Sequence, residues 1–396
     1  MKKEVSFLST TLKKNTINKK IKAKLFYYDK WILVPVVLLS LFGLLMITSA
    51  SLAVSLRDYG TPFHFFYHQF FYVAISAVIA YFSSKISLKK WEAIAPYLLI
   101  LCMLGLILVI MPGVGKSING AKRWLSLGFF HVQVSEIVKL AVIIYFARYL
   151  KHKSIDVKKT NWGFIRPLIV LAILSLLLLC EPDFGATTVI SVIAFGMMFL
   201  GGLPIRKFIL LLIIGLAILA ALIIFAPYRL ERMLNFLNPW ENPLNGGYQL
   251  TQALMSFGRG GIWGVGLGNS IQKLFYLPEA HTDFLFAVIG EELGLVGCLL
   301  LLSGYVVLVA RVLMIARIAA INSNYFDSYI SYGIAFWLSF QSFINVGVNI
   351  GILPTKGLTL PFISYGGSSL LVSAIIFGIL LRIYHENSNS LQSTKY

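Results

Sequence analysis

The chain has 396 residues, of which 58% are hydrophobic and only 13% charged, and its mean hydropathy is +0.81. A soluble domain of this size cannot hide that much apolar surface, and repeated apolar runs of about 20 residues are the signature of membrane spans. The net charge of +18 would suit a soluble nucleic-acid binder, but in a membrane protein the position of the cations matters more than their sum, so nucleic acid is set aside as a partner.

Met1 to Lys30 holds nine lysines and two acids without apolar periodicity. It reads as a disordered basic cytosolic tail (1–30) that touches anionic lipid. The run from Trp31 to Val54 is too long for a signal-peptide core and is a retained span. Hydropathy then places ten spans in all, near 31–54, 64–83, 91–112, 132–150, 166–182, 184–202, 206–227, 284–310, 329–353 and 366–384. The expected fold is an all-α polytopic membrane protein. Its membrane domain covers 31–384, with a long extracytoplasmic loop at 228–283 between the seventh and eighth helices and a short cytosolic tail at 385–396. Cys102, Cys180 and Cys298 all lie in apolar runs and are odd in number, which gives neither a disulfide framework nor a metal-ligand spacing.

Lysines and arginines fix the orientation. With the N-terminus in the cytosol, 24 of the 34 fall on the cytosolic side, nine on the other, and Lys139 lies inside a span. The positive-inside rule therefore puts both termini in the cytosol. Three loops then face outward: Gly113 to His131, Tyr228 to Asp283, and Leu353 to Tyr365. The outer cations Lys116, Lys122, Arg123, Arg259, Lys273 and Lys356 run against the topological bias, and an anionic ligand at the outer leaflet would account for them. Gly113-Val114-Gly115-Lys116-Ser117 imitates the end of a phosphate-binding P-loop. Position 110 is Ile where that pattern needs Gly, and a span precedes it where a strand is required, so nucleotide use is rejected.

Several positions carry both a structural and a chemical reading. Asp283, with Thr282, opens a span after Pro278-Glu279-Ala280-His281; it can cap the helix, act as a general base, or do both. Glu136 and Lys139, at i and i+3 of an apolar helix, share a face and can pair, though an intramembrane lysine is a costly purely structural choice. Trp124 suits an interfacial anchor, and Arg123 beside it suits bidentate phosphate binding. Glu291 and Glu292 lie about 12–14 Å along the helix from Asp283 and about 100° apart, so at most one shares its cavity. His281 is either a proton shuttle or a hydrated loop residue. Tyr248 to Met255, including Gln252, has amphipathic helical spacing and fits a short helix at or dipping into the outer leaflet, followed by a Gly-rich run that allows close backbone approach. Ser364 to Ser369, including Ser368, could offer backbone N–H groups to an anion or simply cap the last span.

With these residues in view, the chain resembles the SEDS family of bacterial cell-wall polymerases, and its division branch rather than its elongation branch. The matching blocks are Gly120–Trp124, Val134–Leu140, Glu181-Pro182-Asp183-Phe184-Gly185, Tyr248–Gly294 and Val348–Ser369. One departure is Val134, where the family commonly has proline. The resemblance implies a peptidoglycan glycosyltransferase that polymerises lipid II on the outer face of the cytoplasmic membrane at the division septum. A class B penicillin-binding transpeptidase, other division proteins and membrane lipids are the implied partners. The family's essential aspartate falls on Asp283, its loop Arg and Trp on Arg123 and Trp124, and its intramembrane Glu and Lys on Glu136 and Lys139. Lys356 and Arg259 join these as expected pyrophosphate-binding cations, with Lys122, His281, Glu291, Glu292, Gln252 and Ser368 as secondary candidates. A divalent cation (Mg or Mn) held by Asp283 is a rival role for the same carboxylate. The alternative function is a lipid II flippase with Glu136, Lys139, Glu291 and Glu292 lining its path, although no internal repeat supports it. A non-catalytic scaffold leaves Asp283 and the outer cations unexplained.

Overall fold

The structure is a computed structural model that describes residues 28–118, 121–128, 130–244 and 246–393. Most of the expected basic tail, Gly120 of the first matching block, and the last three residues lie outside these. Twelve helices are described: α1 (Lys30–Tyr59), α2 (His64–Lys85), α3 (Leu88–Ile110), α4 (Val134–Lys159), α5 (Asn161–Cys180), α6 (Phe184–Leu200), α7 (Ile205–Ile224), α8 (Pro227–Leu237), α9 (Tyr248–Gly260), α10 (Leu285–Ile321), α11 (Tyr325–Asn349) and α12 (Gly367–Ser393). Each expected span falls on one of them. Among the described residues seven (α1, α2, α3, α5, α7, α10 and α12) are long and apolar enough, by length and composition, to cross a membrane.

The other three, α4, α6 and α11, sit at the centre of the bundle. α4 packs on α3, α5, α6 and α11, and α11 packs in turn on α6 and α10. A helix surrounded by helices meets little lipid, so its sequence can carry polar groups wherever partners satisfy them. Helix α4 holds Glu136 and Lys139, and α11 holds Gln341, Asn345 and Asn349, all buried. At the opposite extreme, α7 buries none of its side chains.

The segment after α3 holds the one non-helical element among the described residues, which sequence reading left without structure. Strands β1 (Gly115–Ile118), β2 (Ala121–Leu127) and β3 (Phe130–Gln133) form an antiparallel sheet in that order. Lys116 and Gln133 both pair with Trp124 across it. Alternation along β2 therefore puts Arg123 and Trp124 on opposite faces.

Helix α10 is broken at Gly294, which has φ 66° and ψ −163°. The break opens two helical hydrogen bonds, and the Gly-rich segment after α9 repairs all four groups. The Glu291 and Glu292 carbonyls accept from the Val265 and Gly266 N–H groups at 3.0 Å each, while Leu295 and Val296 donate to the Gly261 and Ile262 carbonyls at 3.0 and 3.2 Å. Non-helical backbone at membrane depth is tolerated under that condition. Gly264 (φ +80°) makes the approach feasible, because an added Cβ would fall on the Glu292 carbonyl.

Candidate functional site

Five segments converge around Asp283. They are β2 with Arg123, the α5–α6 turn with Glu181 and Asp183, the amphipathic helix α8 with Arg229 and Arg232, the loop leading into α10, and the α11–α12 connection with Lys356 and Gly357.

Asp283 lies two residues before the first helical residue of α10, whose N-cap is Phe284 without a side-chain cap bond. The helix-capping reading is thus corrected: Thr282 instead donates to the Glu279 carboxylate at 2.7 Å, and among the described residues the Asp283 carboxylate accepts no hydrogen bond. What holds Asp283 is its backbone, whose carbonyl accepts from the side-chain amides of Asn345 and Asn349 at 2.9 and 3.0 Å. A Cβ added to Gly357 would stand 2.8 Å from Asp283 Oδ2, so glycine lets the α11–α12 connection lie directly against the carboxylate. Burial pushes the Asp283 carboxyl up to about 7; Glu279 and Asp183 add to the rise and Arg123 opposes it.

Arg123 points at the α5–α6 turn, donating from Nη2 to the Pro182 carbonyl at 2.6 Å and from Nε to the Glu181 carbonyl at 3.4 Å. In that turn Asp183 caps α6 by accepting from the Ala186 N–H at 3.1 Å. Glu181 is buried, and neither of its carboxylate oxygens has a hydrogen-bond partner among the described residues. Burial, helped by Asp183, raises it to about 8. Lys356 Nζ lies 3.2 Å from the centroid of the Phe184 ring. Its pKa is lowered to about 7, chiefly by burial and then by the neighbouring cations Arg232, Arg229 and Arg123. Arg232 also reaches the Thr355 carbonyl at 3.5 Å. Beside it, a cleft of about 360 Å³ is lined by residues including Arg232, Asn235, Tyr248, Gln249 and Thr355.

The other sequence candidates lie apart from this group. Lys139 is buried, with its ammonium on Glu136 and on Gln341 Oε1, each at 2.8 Å. Gln341 in turn accepts from Trp337 at 2.7 Å and donates to the Thr359 carbonyl at 2.8 Å. The pairing of Glu136 with Lys139 is therefore as the spacing implies, but the pair supports the α11–α12 connection from below and presents no free cation. Arg259, expected to bind pyrophosphate, is instead bound to Glu291 at 2.6 Å. Glu291 also accepts from Ser270 Oγ and the Ile271 N–H. Glu292 takes Lys273 at 2.7 Å and Ser49 at 2.7 Å. Both glutamates are fully buried on these partners, within the bound that at most one shares the Asp283 space. Glu136, Lys139, Glu291 and Glu292, the four charges of the flippase reading, are thus each engaged by protein partners.

His281 is packed between Phe65 and Tyr365, with ring centroids at 4.6 and 5.7 Å. Burial lowers its pKa, and the field of Glu279 opposes that shift. Ser368 bridges α12 to β3, accepting from the Gln133 N–H and donating to the His131 carbonyl, each at 3.1 Å; its side chain is occupied in that bridge. Lys122 is exposed, and Gln252 is half-buried on α9. Trp124 is half-buried on the sheet face away from Arg123. Sequence reading missed Glu181, Arg229, Arg232, Asn345 and Asn349. Of these Glu181, an acid between two apolar runs, and Arg229 and Arg232, two of the nine cations counted against the charge bias, left a visible signal.

The rival metal role for Asp283 needs further ligands. Among the described residues no three His, Cys, Asp or Glu side chains come together closely enough to hold a metal ion. Among the described residues the side chains alone do not complete a divalent-cation site around Asp283.

The comparisons with known proteins bear on this arrangement. The family model described as cell cycle protein, covering FtsW, RodA and SpoVE, matches residues 30–389. A probable peptidoglycan glycosyltransferase FtsW of Coxiella burnetii is 49% identical over 362 residues, covering 91% of this chain and 97% of that protein. A protein of the same name from Legionella pneumophila is 47% identical, covering 94% and 95%. Among solved structures, a chain from work on the coordination of polymerization and crosslinking by a peptidoglycan synthase complex aligns with TM-score 0.76 and 29% identity, covering 92% of this chain and 99% of that one. The rod shape determining protein RodA of Thermus thermophilus aligns with TM-score 0.68 and 28% identity, covering 91% and 97%. Family match, near full-length relatives and shared helical architecture agree, and the chain belongs to the FtsW/RodA/SpoVE family of cell cycle proteins, as polytopic helical membrane proteins of that kind.

Proposed function

We propose that this protein is a peptidoglycan glycosyltransferase that polymerises lipid II into glycan strands at the outer face of the cytoplasmic membrane during septal wall synthesis. Both termini face the cytosol, and the working unit includes a class B penicillin-binding transpeptidase. The names of the relatives support the activity, and the peptidoglycan synthase complex among the structural neighbours supports a crosslinking partner. The observation that carries the reading is a carboxyl held near neutrality, free of side-chain partners among the described residues, in the field of Arg123 and beside the segment bearing Lys356.

In this mechanism Asp283 takes the proton from the acceptor sugar hydroxyl as its oxygen attacks the donor anomeric carbon. The new glycosidic bond forms with inversion while the bond from that carbon to the lipid pyrophosphate breaks. The pyrophosphate keeps the bonding electron pair and departs without an acid, so one carboxylate is sufficient, unlike the carboxylate pairs of glycoside hydrolysis. Arg123 and Lys356, with Arg229 and Arg232 behind them, stabilise the charge growing on the leaving group. Lys139 and Glu136 hold the α11–α12 connection in place. The test is strand formation from lipid II by the protein co-purified with its transpeptidase, whose active-site serine is blocked. Asp283→Asn is expected to abolish strands while the complex still assembles; near-normal synthesis by that variant would sink the reading.

A further inference from the structure

We propose that Asn345 and Asn349 form a two-amide clamp that positions Asp283 for proton transfer; the proposal rests on the reading of Asp283 as the base. The two asparagines stand at i and i+4 on α11, so their side chains lie one above the other on the face toward α10. Both are buried. Their Nδ2 groups converge on a single acceptor, the Asp283 carbonyl, at 2.9 and 3.0 Å. That carbonyl sits in the last turn before the α10 ladder begins: the Ala287 and Val288 N–H groups donate to Phe284, one residue later. The two amides supply the donors it would otherwise lack.

Each asparagine also ties Asp283 to a second element. Asn345 Nδ2 donates to the Leu358 carbonyl at 2.5 Å, and Leu358 follows Gly357, the residue lying against Asp283 Oδ2. Asn349 Oδ1 accepts from the Ala287 N–H at 3.1 Å, securing the first turn of α10. Only the donor end of Asn345 can face two carbonyls, and only Asn349 with its oxygen toward Ala287 can donate to Asp283, so the partners set both amide orientations. One helix thus fixes the backbone of Asp283, the first turn of α10 and the segment that carries Lys356. The carboxylate itself stays free to accept a proton. These are positioning residues and touch no substrate in this scheme.

The test uses the full chain with its transpeptidase partner and lipid II as substrate. Asn345→Ala and Asn349→Ala are expected to lower kcat by up to about 100-fold, the scale of an ångström-sized misplacement, while KM changes by less than about threefold. Asn345→Asp keeps the size but replaces the donor with an acceptor, and is expected to lose as much as the alanine variant. Asn345→Ser, with one hydroxyl to offer, should lose less and serves if the alanine variants do not fold. The acid limb of the pH profile should also move below its wild-type position, since a loosened Asp283 reaches water. The charged groups facing it stay in place: Arg123 on β2, Asp183 on the α5–α6 turn, Glu279 on its own loop and Lys356 on the α11–α12 connection. A purely structural loss would lower the amount of assembled complex without moving that limb. Unchanged kcat and acid limb in folded Asn345→Ala and Asn349→Ala, with Asp283→Asn inactive, would overturn the clamp alone. Wild-type rates from Asp283→Asn would overturn the base assignment and the positioning role together.

Discussion

Two clusters of charge lie around the start of α10, and in sequence they look alike. One, around Glu291 and Glu292, closes every ionic valence on itself: Arg259, Lys273, Ser270 and Ser49 meet the two buried carboxylates at 2.5–2.8 Å. The other, around Asp283, leaves groups unmatched. Asp283 and Glu181 accept no side-chain hydrogen bond among the described residues, and Lys356 rests on a ring instead of a carboxylate. The same low-dielectric surroundings act on both. In the first they make pairing obligatory; in the second they bring an acid and an amine toward a pKa near 7. Charge that is satisfied internally is architecture, and charge that is kept unsatisfied is available to a ligand.

The contrast can be broken from either side. The largest effect is expected where the paired region depends on bare backbone. Gly264→Ala puts a methyl on the Glu292 carbonyl at a positive φ, which should cost more than about 4 kcal/mol and abolish assembly with the partner, read by co-purification. Next, Glu291→Ala leaves Arg259 and three donors, Ser270 Oγ and the Ile271 and Gln272 N–H groups, around an emptied site. About 3 kcal/mol of lost stability is expected, at the low end for a broken buried pair because Arg259 is 39% exposed. Thermal unfolding of the purified complex checks this, and activity per folded molecule should hold.

On the unpaired side the signature is pH. Asp283 must be deprotonated to act as base, so kcat/KM rises through about 7; Lys356 must be protonated to hold the leaving group, so kcat/KM falls above about 7. A narrow bell centred near neutrality follows. Lys356→Arg should remove the alkaline limb, since guanidinium stays charged, giving about a threefold gain relative to wild type at pH 8 when each is normalised at its optimum. The smallest effect belongs to Lys122→Ala. An exposed cation outside both clusters should change stability by no more than about 0.5 kcal/mol and leave the pH profile unmoved.

How much of this was legible in the sequence follows from the range of each interaction. The helical spans stand out because twenty-residue apolar runs are local and have few other uses. Asp283, Arg123 and Lys356 drew attention as outer charges in an apolar chain, and the structure gathers them into one neighbourhood. The sheet at 115–133 was invisible because its strands are short and their alternation is interrupted by the irregularity between Lys116 and Ser117. Asn345 and Asn349 drew no notice in sequence, since their meaning lies in a carbonyl more than sixty residues away. The pairing of Arg259 was hidden for the same reason: nothing along the chain says that its partner is Glu291.

The break at Gly294 has a consequence for how the protein is made. Ribosomes deliver the Gly-rich segment before α10, so the Gly261 and Ile262 carbonyls and the Val265 and Gly266 N–H groups emerge some thirty residues ahead of the groups that satisfy them. Until Leu295 and Val296 follow, that stretch has no dry place to settle and must wait at the wet interface. The loop that carries Asp283, strung between the waiting segment and the late helix, is therefore closed by the same step that inserts α10.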